Sequence, residues 1–365
     1  MDAANYILAG GGTGGHLFPG LAVADALRRR QPDAQILFLT TDRPLDRQLL
    51  NNTPFTQILQ PVRPFTLNPL RMPGFLHAWH RSVAAAKQRL TETRVHAVLG
   101  LGGYAAGPAV VAAQTLGVRN AILNPDAVPG RANRHLARKT DLVITQWDIS
   151  EHHFPSGTPC QTLGCPIRAA FAGAKRADGL RHFNLTNDHP VLLVTGASQG
   201  AHTINLAMMR VWPEFLAAHP EWQLLHLSGP ADEQAVRAAY AASGAPARVV
   251  DFTHEMPLAI AAADAVVARA GASTLAELTA LGKPAILLPY PYHRDRHQHA
   301  NARVLVRGGA ALVIEDQRDP VANEPLLHAA LGDIAQPEKR LAMAAAAREL
   351  GRVDAAEAVA GWLLA

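Results

Sequence analysis

Short unbroken apolar runs alternate along this chain with longer segments whose apolar positions recur at the spacing of one helix face. The first cycle reads strand at 6–9, glycine turn at 10–15, helix at 17–30 and strand at 36–39, which predicts a βαβ unit. Further apolar runs at 97–99, 121–123 and 142–144, separated by helical or polar stretches, continue it into a doubly wound parallel sheet. After a Pro- and Gly-containing stretch around 158–168 the pattern starts again. A run at 191–194 enters a glycine turn at 196–200, and others follow at 223–227, 248–250, 265–267 and 285–288, with a helix expected at 274–281. The expectation is an α/β protein of two Rossmann-like domains, 1–163 and 164–339, with parallel sheets facing a central cleft. An alanine-rich helix at about 340–365 is expected to pack back on the first domain. Open parallel sheets bind ligands outside the carboxyl ends of their strands, so the chemistry is expected there.

Composition narrows this picture. The 365 residues are 48% hydrophobic but only 5% aromatic, so the cores should be aliphatic helices packed on aliphatic strands. Cys160 and Cys165 stand alone in the sequence, with no second pair for a zinc site and no disulfide framework. The first residues carry no basic stretch, and no apolar run approaches the ~20 residues of a membrane span, so a cytoplasmic protein is expected. The net charge of +4 is too small for this length to argue for nucleic acid. Charge is nonetheless concentrated at 63–89, where Arg63, Arg71, His77, His80, Arg81, Lys87 and Arg89 interleave with Phe65, Leu67, Leu70, Met72, Phe75, Leu76 and Trp79. That mixture suits an anionic membrane surface, and equally an amphipathic helix packed on its own domain.

Four small-residue turns carry the candidate chemistry. The turn from Gly10 through Gly12, Thr13, Gly14 and Gly15 to His16 joins a strand to a helix with nothing to shield the backbone N–H groups, which suits an anion or polar substrate. His16, where loop meets helix, is the candidate base. A second loop, Gly100-Leu101-Gly102-Gly103-Tyr104, implies another close approach of backbone to ligand. The third offers Ser198 and Gln199 at a helix start, as a diphosphate requires, and lacks the lysine of a P-loop. The fourth runs from Arg269 through Ala272 and Ser273 to Thr274, with Glu277 three residues on and on the same helix face. That pair could hold a ribose or form a capping box. A nicotinamide site would want an acidic residue at the second strand end, and Asp42 lies rather far along. His293, His297 and His299 lack an accompanying carboxylate or cysteine set, so no metal is expected.

In combination, Gly11 to His16 followed by Phe18-Pro19-Gly20-Leu21-Ala22, the Gly100–Tyr104 loop, Ala197 to Ala201, Arg269 to Glu277 and Asp295-Arg296-His297-Gln298 resemble the MurG family of glycosyltransferases, in order and over nearly the whole chain. The resemblance implies a GT-B fold and inverting transfer of GlcNAc from UDP-GlcNAc to undecaprenyl-diphosphate-MurNAc-pentapeptide (lipid I), with no cofactor or obligatory metal. It implies that Thr13, Gly14, Gly15, His16, Asp126, Arg168, Ser198, Gln199, Phe252, Thr253, Arg269, Ala272, Ser273, Thr274, Glu277 and Gln298 serve the donor. Gly12, Gly102, Gly103 and Tyr104 would serve the acceptor, with His16 or Asp126 as the base. It also implies a peripheral position on the cytoplasmic face of the membrane through 63–89, near other cell-wall proteins. The family's usual His-Glu-Gln-Asn before Ala-Val-Pro-Gly is replaced by Leu123-Asn124-Pro125-Asp126. A transferase with another acceptor or donor sugar, and a silent nucleotide-sugar-binding protein, are the competing readings.

Overall fold

The computed structural model describes residues 4–196, 200–292 and 295–365. Its contacts divide the chain into two compact units, one of residues up to Arg168 together with Asp354–Ala365, the other Ala169–Val353.

The first unit holds a seven-stranded, all-parallel sheet of β1 (Asn5–Gly10), β2 (Gln35–Thr40), β3 (Thr56–Leu59), β4 (Val95–Gly102), β5 (Arg119–Asn124), β6 (Leu142–Thr145) and β7 (Cys160–Thr162), in the order β3-β2-β1-β4-β5-β6-β7. Strand β1 is apolar without alternation because both of its faces are covered. Tyr6 and Leu8 enter a core with helix Gly14–Arg30, whereas Ile7 and Ala9 enter a second core with helices Met72–Glu92 and Gly103–Leu116. The chain's last helix, Ala355–Leu364, joins the first of these cores through Val359, Ala360 and Leu363, and Glu357 pairs with Arg29 at 2.7 Å. The rest of the tail lies elsewhere: helix Pro337–Leu350 sends Met343 into the core of the second unit.

The second unit repeats the plan with six parallel strands: β8 (Val191–Thr195), β9 (Gln223–Leu227), β10 (Arg248–Val250), β11 (Ala265–Ala268), β12 (Ala285–Leu287) and β13 (Ala311–Val313), ordered β10-β9-β8-β11-β12-β13. Its core gathers Trp212, Phe215 and Trp222 against aliphatic strand residues. In both sheets the first strand of the unit is central and the chain then proceeds to either side of it. The order therefore reverses between β1 and β4 and again between β8 and β11, and such reversals leave a crevice at the carboxyl ends of the strands.

Strands β3 and β7 do not stand out in the hydrophobic pattern. Each is a short outer strand, half-exposed, and pairs on one side only. An outer strand needs no continuous apolar run, and these two have none. Strand β13 is also outer, but it lies in an apolar run, 310–314, outside the strands expected from the pattern.

Candidate active site

All four small-residue turns singled out in the sequence follow the strands that flank the two reversals: those after β1 and β4 in the first unit, and those after β8 and β11 in the second. Chain order had scattered them; topology pairs them.

In the first unit the two glycine loops meet at His16. Gly102 and Gly103 have φ of +103° and +72°, and a Cβ on either would lie 3.1 Å from the imidazole, at Cδ2 and Cε1 respectively. These glycines thus serve as the seat of the histidine ring. His16 is in the first turn of helix Gly14–Arg30, and its Nδ1 lies 3.1 Å from Thr13 Oγ1 and 3.4 Å from the Gly11 carbonyl oxygen. A carbonyl can only accept, so the Gly11 contact is satisfied when Nδ1 carries the proton and Nε2 presents its lone pair. Burial pushes the His16 pKa below its ordinary value, against the opposing pull of the Gly11 carbonyl and the Asp126 and Asp46 carboxylates. At neutral pH the ring is therefore uncharged, and the tautomer that suits the Gly11 carbonyl leaves the lone pair on Nε2.

Asp126 is close enough to His16 to act on it electrostatically, and its loop is firmly held. Asn124 Nδ2 donates to the Asp126 carbonyl oxygen at 2.8 Å, Ser150 Oγ donates to the same oxygen at 3.2 Å, and buried Asn133 donates to the Leu123 carbonyl at 3.0 Å. Thr13 and Gly15 are exposed, Gly12 is buried, and Gly14 and Tyr104 are half-buried at the starts of their helices. The Arg168 guanidinium stands 5.8 Å over the Phe18 ring.

In the second unit Ser198 and Gln199 lie outside the described residues. Helix Ala272–Ala280 begins at N-cap Gly271, so Thr274 falls inside the first turn and is not the N-cap that a Thr274–Glu277 capping box would need. Ala272, Ser273 and Thr274 form that first turn, the end of a helix at which phosphate oxygens are favoured. Arg269 is turned inward: it donates to buried Asp316 at 2.7 Å, to Thr203 Oγ1 at 2.8 Å and to the Leu288 carbonyl at 3.0 Å. It braces the turn after β11 against its neighbours, a job the sequence did not reveal. Gln298 Oε1 accepts the Tyr290 N–H at 2.8 Å, which makes its NH2 the outward-facing end. Phe252 is exposed and stacks edge-on with His254, while the Thr253 hydroxyl accepts the Glu255 N–H at 2.9 Å. Beneath β8 and β9, buried His226 lies between Asn205 Oδ1 at 3.0 Å and Tyr240 Oη at 2.9 Å. Burial pushes its pKa down to about 3.

The other candidates resolve simply. Asp42 is exposed and paired with Arg47. His297 contacts Asp295 and His299 contacts Glu315, while His293 lies outside the described residues. Segment 63–89 forms a loop and most of helix Met72–Glu92, with Phe65, Leu67 and Leu70 at 58%, 74% and 92% exposure beside exposed Arg63, Arg71, His77, His80 and Arg81. Among the described residues no helix is long and apolar enough to cross a membrane.

Sequence reasoning missed Asp46. It is fully buried in the first turn of helix Pro44–Asn51 and accepts the Gly12 N–H with both carboxylate oxygens, at 2.8 and 3.0 Å. The acidic residue that engages the glycine loop lies four residues beyond Asp42, and it binds backbone.

Comparison with known proteins agrees with this geometry. Residues 6–145 match the glycosyltransferase family 28 N-terminal domain, and 191–359 match the family 28 C-terminal domain. A UDP-N-acetylglucosamine--N-acetylmuramyl-(pentapeptide) pyrophosphoryl-undecaprenol N-acetylglucosamine transferase from Syntrophus aciditrophicus is 39% identical, with 85% of each chain covered. A protein of the same name from Desulforudis audaxviator is 36% identical, covering 97% of this chain and 96% of its own. The crystal structure of Acinetobacter baumannii MurG superposes with a TM-score of 0.76 at 26% identity, over 99% of both chains, and the fold is accordingly GT-B. With both domain models and full-length relatives in agreement, the chain belongs to glycosyltransferase family 28.

Proposed function

We propose that this protein transfers GlcNAc from UDP-GlcNAc to the lipid-linked MurNAc-pentapeptide, with inversion at the anomeric carbon. The observation that carries this reading is the family match along the whole chain to transferases of that name, combined with a neutral, seated histidine at the first reversal. The acceptor hydroxyl oxygen attacks the anomeric carbon and forms the new glycosidic bond as the bond to the UDP oxygen breaks. His16 Nε2 takes the hydroxyl proton, and the departing electron pair stays on the diphosphate. Negative charge growing on that diphosphate is stabilised by the positive dipole end of helix Ala272–Ala280, at Ala272–Thr274. Ser198 and Gln199 are assigned to the same diphosphate, Glu277 to the ribose hydroxyls, Phe252 and Thr253 to the uracil, and Gln298 to the sugar. Tyr104 and the backbone around Gly12 are assigned to the acceptor, and Asp126 steadies the imidazolium formed on His16.

Segment 63–89 is assigned to the cytoplasmic membrane surface, where the lipid-linked acceptor resides. Three strongly exposed apolar side chains among six exposed basic ones support this, since apolar insertion and attraction to anionic headgroups act together there. Replacing His16 with Ala tests the mechanism. General-base loss predicts a kcat fall of about 10²–10⁴-fold with the UDP-GlcNAc KM little changed. Since His16 titrates below its ordinary value, the wild-type acid limb should lie below pH ~6.5. Unchanged turnover in the variant would exclude His16 as the base.

A further inference from the structure

The peptide joining Gly11 to Gly12 has its two ends engaged on opposite sides. Its N–H points into the Asp46 carboxylate, and its carbonyl is the oxygen beside His16 Nδ1. In a planar trans peptide these two groups point in opposite directions, so fixing one aims the other. Both flanking residues are glycines with φ of +149° and +85°, and nothing in their side chains resists rotation of this peptide. We propose that Asp46 is a positioning residue for transfer: by holding the Gly12 N–H it aims the Gly11 carbonyl at His16 and so sets the imidazole tautomer that leaves Nε2 as the base.

Asp46 is built as a buried acceptor. It has no exposed surface, and besides the Gly12 N–H it accepts the Thr41 N–H at 3.2 Å and the Thr41 hydroxyl. It sits in the first turn of its helix, where the dipole favours a carboxylate. Gly11 approaches so closely that a Cβ would come within 2.4 Å of Asp46 Oδ2. From the same segment Arg43 Nη1 donates to the Gly12 carbonyl at 2.8 Å, so the residue is held on both sides. The acid therefore orders the loop through backbone, and touches neither substrate nor the reacting atoms.

The inference rests on His16 as the base, and the test separates the two. Asp46→Ala, Asp46→Asn (which keeps one acceptor for the Gly12 N–H), His16→Ala and the double variant Asp46→Ala/His16→Ala are compared in UDP release with UDP-GlcNAc and a lipid I analogue. The His16 tautomer is read from long-range proton–nitrogen NMR correlations in the His16-containing forms. Asp46→Ala should lower kcat about tenfold or more with the donor KM within about twofold, and should redistribute the tautomer toward Nε2–H. Asp46→Asn should fall between it and wild type. In the His16→Ala background the Asp46 substitution should cost less than about twofold, because its effect passes through the missing ring. If Asp46→Ala does not fold, Asp46→Asn carries the same comparisons. An unchanged tautomer, or a loss that multiplies fully onto that of His16→Ala, overturns the role of Asp46. Full turnover by His16→Ala with a shifted tautomer overturns the base and leaves the Asp46 contact standing.

Discussion

Replacing Gly103 with Ala would test whether the glycines after β4 are the seat of His16. The new Cβ would lie 3.1 Å from His16 Cε1, inside ordinary van der Waals contact, so the ring must yield by a few tenths of an ångström. The substitution also places an L side chain at φ +72°, costing ~1–2 kcal/mol of backbone strain and lowering Tm by about 2–8 °C. Gly117, at the other end of the same helix, supplies a matched control: its φ is +67° and an added Cβ meets nothing within 4 Å. If a 1 Å misplacement of a catalytic group costs about 10²-fold, a shift of a few tenths should cost about 4- to 10-fold in kcat. Circular dichroism melts and steady-state UDP release on both variants would separate the effects. Both should melt lower by similar amounts, and only Gly103→Ala should lose turnover. Equal kcat in the two variants would refute the seating argument.

Other regions yield sharper contrasts. His226 is held near pKa 3, well below its unfolded value of about 6.5, so its contribution is complete above the unfolded value and is lost as pH falls toward 3. At pH 5 this amounts to ~2 kcal/mol, and urea midpoints from pH 7 to 5 should fall more in wild type than in His226→Gln. Arg269→Met leaves Asp316 buried without its guanidinium and should cost ~3–5 kcal/mol, whereas Arg296→Met, which breaks an exposed pair with Glu315, should cost under ~1 kcal/mol in the same denaturant assay. Leu70→Asp, at the most exposed apolar position of segment 63–89, should weaken cosedimentation with anionic vesicles by about tenfold or more while sparing transfer to a water-soluble acceptor. Equal sedimentation of variant and wild type would remove the membrane role of this residue.

Much of the fold was written in local pattern. Strands β1, β4 and β8 are buried on both faces, so their apolar runs announce them, and the glycine turns that follow are punctuation a sequence displays openly. Outer strands β3 and β7 were hidden because one-sided pairing asks little of composition. At the site, His16 and the Gly102–Gly103 pair could be read as important, yet that the glycines hold the histidine ring requires two loops about ninety residues apart in sequence to be adjacent at a strand reversal. Asp46 and the bracing contacts of Arg269 stayed illegible for a related reason: each acts on backbone or on a buried partner contributed by a distant segment, and neither lies in a pattern with its partner. The substitution of Asp126 at a loop otherwise resembling the family is readable, while its electrostatic reach to His16 is visible only in three dimensions.

The central claim is the transfer itself. Purified protein incubated with UDP-GlcNAc and a lipid I analogue, with the lipid product weighed by mass spectrometry and its anomeric configuration read from proton NMR couplings, tests it most directly. The account predicts that the acceptor gains one N-acetylhexosamine for each UDP released, with the new linkage inverted at the anomeric carbon. UDP-GlcNAc binding with no change in acceptor mass, or a product of retained configuration, would contradict it.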